Sequence, residues 1–329
     1  MKVRWRLKME PCNYLYSLNY PLYEKELCAL EVKSLFKDSN DSNDSNDSMD
    51  HKVFFTTIKV DPSVSPFLRN RLEILYSHSS FAELVELVDH AELHATDFMV
   101  KYVKLYDQDP SFQERRNYCK QLGFKIHGTP LYSSPKETFG ITYYKKKWYF
   151  GRLMQNDIVW KEHKDKPYSY SSSIGINIAK ALVNIAGNGD KTKRIVDPCC
   201  GAGTVLLEGV FAGYSIIGWE INRKIAEAAR GNLKHFNCNA QVITGDIKDI
   251  NEVFDASIID LPYGNFSITT QEELQSILNN GKRISKKMVI VSAKDISDEI
   301  KIENLLVLDR CEVVKNKYND FTRYVWVCE

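Results

Sequence analysis

An acidic, glycine-rich motif is the first feature of the sequence that could bind a ligand. Residues 195–204 read Ile-Val-Asp-Pro-Cys-Cys-Gly-Ala-Gly-Thr, which predicts a buried strand that ends at Asp197, a turn and then a helix. Gly201 and Gly203 let the backbone approach a ligand at the N-terminus of that helix, where amide N–H groups are free to donate. A dinucleotide fingerprint needs a third glycine, and Leu206 stands in its place, so the motif disfavours NAD.

Two more acidic residues follow at the ends of the next predicted strands. Glu220 ends the strand YSIIGWE, and Asp246 follows the strand at 241–244. A carboxylate at Glu220 can accept both hydroxyls of a ribose, as in the analogous dinucleotide folds, and Asp246 is a candidate partner for an adenine amino group. This order of motifs is typical of S-adenosylmethionine sites. We predict a metal-free cofactor site that contains Asp197, Cys199, Gly201, Gly203, Thr204, Glu220, Ile221, Asp246, Ile247 and Asp260.

A second motif, Asp-Leu-Pro-Tyr-Gly at 260–264, ends the fourth predicted strand and is similar to the [DN]PP[YF] signature of amino-methyltransferases. An exocyclic amine is a poor nucleophile, because its lone pair is delocalised into the ring. The Asp260 side chain and the Leu261 carbonyl can each accept one N–H and so direct the lone pair toward a methyl donor. Pro262 stiffens the turn, and Tyr263 can stack on a flipped base. The alternative is an ordinary Asp-Pro-Tyr-Gly turn.

The cysteines point away from covalent catalysis. Pro198-Cys199-Cys200 resembles the Pro-Cys nucleophile of C5-pyrimidine methyltransferases, but it lies in the predicted cofactor loop and not at the fourth strand. The eight cysteines form no CxxC pair and no zinc spacing, which favours reduced packing residues in a cytoplasmic protein.

The elements around these motifs predict an α/β fold. From residue 171 onward, strands and helices alternate, which indicates a Rossmann-like, mostly parallel seven-stranded sheet with helices on both faces. The last two strands are joined by a short turn, so one strand should be antiparallel. We predict this domain at 171–329, after a polar linker at 156–170.

The N-terminal half has a different pattern. Residues 1–60 predict a small α+β module interrupted by the repeat DSNDSNDSNDSMD at 38–50, whose polar composition favours disorder. Residues 61–155 predict a second domain, in which 66–95 has a helical pattern. The stretch 101–166 carries 14 Lys and Arg against 7 Asp and Glu, and it includes Lys-Lys-Lys-Trp-Tyr-Phe. Such a stretch suits RNA, and the alternative is a lysine-protected edge hairpin.

Together these motifs resemble those of the THUMP-domain RNA methyltransferases, in particular the tRNA guanine-10 N2-methyltransferases of archaea and eukaryotes and their bacterial relatives. The resemblance rests on DPCCGAGT, DLPYG and the stretch KPYSYSSSIG at 166–175, and more diffusely on 122–151. It implies S-adenosylmethionine as cofactor and a ferredoxin-like module followed by a THUMP domain that binds tRNA. It also implies that a segment with Ser169 and Ser171 holds the methionine end of the cofactor. Leu261 departs from the family's proline.

The functional hypothesis is therefore an RNA methyltransferase that acts on the exocyclic N2 of a guanine, with tRNA as the favoured substrate. The motif DLPYG fits rRNA guanine N2 or DNA adenine N6 as well, and protein glutamine methylation uses a similar turn. A non-catalytic RNA-binding protein is a further alternative, although the four acidic residues are intact. No apolar run approaches the length of a membrane span, and nothing in the sequence indicates an obligate protein partner.

Overall fold

The computed structural model describes residues 13–37, 52–105, 109–170, 173–262, 270–316 and 319–329. The repeat at 38–50 lies outside these ranges. The chain divides into two compact units. Unit 1 comprises Met1–Asn19, Asp38–Ser63 and Phe67–Asn156, and unit 2 comprises Tyr20–Lys37, Val64–Pro66 and Asp157–Glu329. Among the residues within the described ranges, no helix is both long and apolar enough to cross a membrane.

The strands and helices are numbered here in chain order. The strands are β1 (Tyr14–Leu18), β2 (Val53–Thr56), β3 (Leu68–His78), β4 (Phe98–Tyr102), β5 (Glu137–Tyr144), β6 (Lys147–Gln155), β7 (Arg194–Asp197), β8 (Ser215–Glu220), β9 (Gln241–Thr244), β10 (Ala256–Asp260), β11 (Met288–Ser292), β12 (Val307–Asn316) and β13 (Asn319–Cys328). The helices are α1 (Lys25–Leu35), α2 (Phe81–His90), α3 (Phe112–Gly123), α4 (Ile176–Gly187), α5 (Thr204–Phe211), α6 (Arg223–His235), α7 (Gln271–Ile284) and α8 (Ser297–Ile302).

Unit 1 is built on one six-stranded sheet of order β2-β1-β3-β6-β5-β4. Only β4 and β5 run parallel, and the other neighbours are antiparallel. Helices α2 and α3 pack on one face of this sheet. Their core includes Leu84, Leu122 and Phe150, none of which is exposed to solvent. The sheet joins strands from 1–60 to strands from 61–155, so the predicted division into two modules at residue 60 differs from the structure.

The predicted helix at 66–95 is wrong in its first half, because Leu68–His78 forms strand β3. Leu68, Asn70 and Leu72 alternate onto the buried face, as strand residues do. A register shift between Ile74 and Tyr76 then breaks the alternation. This irregularity gives the apolar residues a spacing of three, which imitates a helix in the sequence. The second half of the prediction agrees with α2.

Unit 2 contains a seven-stranded sheet of order β12-β13-β11-β10-β7-β8-β9. Strands β7 to β11 are parallel, and β13 lies antiparallel between β11 and β12. The predicted Rossmann-like α/β sheet with one antiparallel strand is therefore confirmed. The parallel strands are buried on both faces, which explains the continuous apolar runs such as Met-Val-Ile-Val in β11.

Helix α1 belongs to unit 2 and not to an N-terminal module. It packs on α4 and on β12. Helix α4 is buried almost all round, as expected for a helix that is covered on more than one side. At their contact, the Asn184 side chain donates to the Glu31 carboxylate and to the Val64 carbonyl. The segment predicted as a linker also differs, since Val159–Asp165 is a 3-10 helix with Trp160 and His163 buried.

Candidate functional site

A cavity of about 890 Å³ opens at the carboxyl ends of β7, β8, β9 and β10 in unit 2. Between β7 and β10 the strand order reverses, which is where open α/β sheets bind ligands. The volume lies in the range of small-molecule and cofactor sites. The predicted residues that line the cavity are Asp197, Cys199, Gly201, Thr204, Glu220, Ile221, Asp246, Ile247, Asp260, Leu261 and Pro262.

The glycine-rich turn forms the floor of the cavity. Gly201 has φ of +52° and Gly203 has φ of +79°, a left-handed backbone that non-glycine residues adopt at a cost. Around Gly201 a Cβ would meet no atom within 4 Å, so this backbone faces open space in which a ligand can approach. Asp197 is buried, and one of its oxygens accepts the amide N–H of Cys199 at 3.2 Å. Burial raises the pKa of Asp197 well above its usual value, and the nearby charges of Asp260 and Glu220 raise it further.

Glu220 is held in place by two backbone donors. Its oxygens accept the amide N–H of Gly201 at 3.0 Å and that of Asn222 at 2.8 Å. Each carboxylate oxygen has a second lone pair, so both can still accept a hydroxyl. Glu220 is therefore preorganised to bind the two hydroxyls of a ribose.

Asp246 lies at the next strand end and caps a short 3-10 turn. Its side chain accepts the amide N–H of Lys248 at 3.0 Å, and the Gly245 amide donates to the Glu220 carbonyl at 3.1 Å. Ile247 is buried beside it and contributes an apolar wall. The arrangement suits a flat ring with one polar edge, such as adenine.

Asp260 ends β10, which pairs with β7 on the side opposite to β8 and Glu220. Its Oδ1 is buried and has no hydrogen-bond partner among the described residues. Burial raises the pKa of Asp260 to about 7, and the positive charge of Arg323 partly opposes this rise. The next amide, that of Leu261, donates to the Val291 carbonyl at 2.9 Å and so fixes the turn to β11. A buried acceptor without a partner is costly, and a substrate N–H would satisfy it.

The two cysteines of the turn are thiols. Burial and the surrounding carboxylates raise the pKa of Cys199 and of Cys200 far above the ordinary value. The thiolate is the nucleophilic form, so neither side chain is suited to covalent attack. Among the part of the chain that the structure describes, no group of His, Cys, Asp or Glu could hold a metal ion.

The remaining predicted residues have other places. Ser171 and Tyr263 lie outside the described residues. Ser169 is exposed and is not one of the described residues that line the cavity. Gly203 does not line it either, and a Cβ on Gly203 would lie 3.2 Å from the Cβ of Ala229. The residues that sequence reasoning missed line the two side walls: Tyr170, Ser173, Ile174, Asn222, Ile225, Lys248, Glu273, Ser276 and Ile277. A signal existed for Glu273, since Thr270-Gln-Glu-Glu273 is a capping box that starts α7.

The part of the chain that contains this cavity is similar to known methyltransferases. Residues 164–296 match the family model UPF0020, described as "RMKL-like, methyltransferase domain". A tRNA (guanine(10)-N2)-dimethyltransferase of Methanothermobacter thermautotrophicus is 34% identical over 122 residues, which are 36% of this chain and 35% of the relative. One of Pyrococcus abyssi with the same name is 28% identical over 163 residues, or 46% of this chain and 49% of the relative. The chain thus spans a third to a half of the length of these relatives.

A solved structure, TrmN from Thermus thermophilus, is 12% identical, covers 96% of this chain and 99% of its own, and superposes with a TM-score of 0.46. The family match covers the glycine-rich turn, Glu220, Asp246 and the strand that ends at Asp260. Residues 164–296 of this chain are thus similar to the methyltransferase domain that this family model describes.

Proposed function

We propose that this protein is an S-adenosylmethionine-dependent RNA methyltransferase that modifies the exocyclic N2 of a guanine in tRNA. The observation that carries the proposal is the meeting of a preorganised ribose acceptor, Glu220, with an unpartnered buried carboxyl oxygen on Asp260 in one cavity. The names of the relatives, tRNA (guanine(10)-N2)-dimethyltransferases, support guanine N2 and tRNA.

The residues fit S-adenosylmethionine along the sheet. Glu220 would hold the ribose, Asp246 and Ile247 the adenine, and the floor between Asp197 and Gly201 the methionine part. The group supplies an electrophilic methyl on a sulfonium, and the acidic side chains of Glu220 and Asp260 in the cavity lining favour a cationic ligand. The cavity volume is sufficient for this molecule with room for a base beside it.

Asp260 acts on the substrate amine. Its free Oδ1 accepts one N–H, and the Leu261 carbonyl is the candidate acceptor for the other. With both N–H groups held near the ring plane, the nitrogen lone pair, which is perpendicular to that plane, would be directed toward the methyl group. As the bond between nitrogen and the methyl carbon formed, the bond from that carbon to the sulfonium sulfur would break. The Asp260 carboxylate would stabilise the positive charge that develops on nitrogen and would then accept the proton that leaves.

The test is methylation of tRNA by the purified full chain, followed by mass spectrometry of the nucleosides. The wild type should form N2-methylguanosine, and Asp260→Ala should form none while it still binds S-adenosylmethionine in a calorimeter. Asp298→Ala is the matched control, because Asp298 is an exposed aspartate whose side chain is 88% accessible. Methylated tRNA from Asp260→Ala would refute the mechanism, and N6-methyladenine or a methylated glutamine in place of N2-methylguanosine would refute the substrate.

A further inference from the structure

Asn232, a buried residue on helix α6, makes three hydrogen bonds beside the cavity. The residue is not exposed to solvent. Its Nδ2 donates to the Ala202 carbonyl and to the Tyr168 carbonyl, both at 2.8 Å, and its Oδ1 accepts the Tyr168 amide at 2.9 Å. One amide side chain therefore ties the glycine-rich turn to the segment at 168–170, which is distant in sequence from both α6 and the turn.

Gly231, the residue before Asn232, leaves room for Tyr168 at the same contact. At Gly231 a Cβ would lie 2.5 Å from Cε2 of Tyr168, so the absence of a side chain lets the tyrosine ring rest on the helix. Glycine in a helix interior is less stable than alanine, so Gly231 lowers the stability of α6 while it allows this contact.

The tied segment forms a wall of the cavity. Tyr170, Ser173 and Ile174 follow Tyr168 and line the cavity, and Ala202 lines it from the turn. The Ser173 amide donates to the Tyr170 carbonyl at 3.0 Å, which links the two ends of this wall. The wall leads into α4, which packs on β10 and β11. In the strand order these two strands lie on one side of β7, and the strands that lead to Glu220 and Asp246 lie on the other.

We propose that Asn232, with Gly231, is a positioning residue that holds the 168–170 wall against the glycine-rich turn and thereby forms the part of the cavity that takes the methionine portion of the ligand. The inference rests on the proposed function, because it presupposes S-adenosylmethionine with its nucleoside over Glu220. Asn232 contacts Tyr168 and Ala202 and acts through these two residues, not on the reacting atoms.

The experiment compares the binding of S-adenosylmethionine and of adenosine to the full chain by calorimetry. Asn232→Ala should weaken S-adenosylmethionine at least about tenfold, the worth of one to two net hydrogen bonds, and should change adenosine binding less than about threefold. The control is Asn184→Ala, which removes an equally buried asparagine that donates to Glu31 and Val64, none of which lines the cavity. It should lower the melting temperature without changing either affinity.

If Asn232→Ala does not fold, Gly231→Ala tests the same inference. It displaces the Tyr168 ring, which is half exposed and free to move, while it raises helix propensity. We expect weaker S-adenosylmethionine binding with an unchanged or higher melting temperature, a combination that a loss of stability cannot produce. Equal weakening of both ligands, or unchanged S-adenosylmethionine binding, would overturn the inference alone. A wild type that binds neither ligand would overturn the cofactor assignment and this inference with it.

Discussion

Asp260 combines two properties that oppose each other in water. Its buried Oδ1 lacks a partner among the described residues, and burial raises its pKa to about 7. In the proposed function the residue must be a carboxylate to stabilise the positive charge on the substrate nitrogen, yet burial in the cavity favours the neutral acid. Its ionisation should therefore control the rate in the neutral pH range.

The pH profile of methyl transfer tests this role. Because the pKa of Asp260 is raised to about 7, the acid form dominates below that pH and the carboxylate above it. Single-turnover rates should rise up to tenfold per pH unit below 7 and level off above. Asp260→Asn keeps an acceptor oxygen that does not titrate, so its lower rate should lose this rise. A rise that persists in Asp260→Asn would assign the titration to another group.

Glu31 offers a second residue-scale prediction, on stability. It is fully buried, and burial raises its pKa from 4.5 to about 7, against the opposing hydrogen bonds from Ser65 and Asn184. The folded state thus binds an additional proton between these pH values, so the stability that Glu31 contributes below pH 4.5 is lost as the pH rises through 7. Glu31→Gln should remove this loss and raise the free energy of unfolding above pH 7 by about 3 kcal/mol. Urea titrations at pH 5 and 8 measure the difference, and an equal effect at both would contradict it.

At the scale of elements, the β7–α5 turn depends on a left-handed glycine. Gly201→Ala places a Cβ in open space, so only backbone strain of about 1 kcal/mol is expected, together with weaker S-adenosylmethionine binding as the turn shifts under Glu220. Gly213→Ala is a matched control, because its φ is +82° and a Cβ there would also meet no atom within 4 Å. The two variants should lose similar stability in thermal unfolding, and only Gly201→Ala should lose ligand affinity.

The elements that sequence reasoning found are those whose pattern is local. Asp197, Glu220 and Asp260 end strands that are short apolar runs, Asp246 follows the end of β9 by two residues, and all four line the cavity. The strand β3 was missed because its register irregularity imitates helical spacing. The polar composition of 156–170 concealed a 3-10 helix whose Trp160 is buried only in the tertiary structure.

The side walls of the site were missed for a related reason. Tyr170 and Asn232 carry no motif, and their roles arise from a contact between segments 64 residues apart. A single sequence holds no local sign of such a pairing. The boundary at residue 60 failed likewise, because α1 is amphipathic by itself and only the fold shows that it packs on α4 and not on the nearby strands.

At the scale of the molecule, unit 2 is assembled from three separate stretches of chain. A fragment of residues 157–329 lacks α1 and therefore exposes faces of α4 and β12. We expect this fragment to unfold at a markedly lower urea concentration than the same fragment preceded by residues 20–37 on a flexible linker. Equal midpoints would show that α1 contributes no stability to unit 2.

Because α1 lies early in the chain, its native packing is delayed during synthesis. Its contacts with Asn184 and Asp309 join residues 153 and 276 positions apart. At ribosomal speeds of about 5 to 20 residues per second, the last of these partners emerges roughly 15 to 55 s after α1 does. Until α4 has been synthesised, α1 lacks both of the elements on which it packs, and until β12 follows it lacks one of them. The nascent chain is therefore most open to chaperones, and to aggregation with its neighbours, at this early helix.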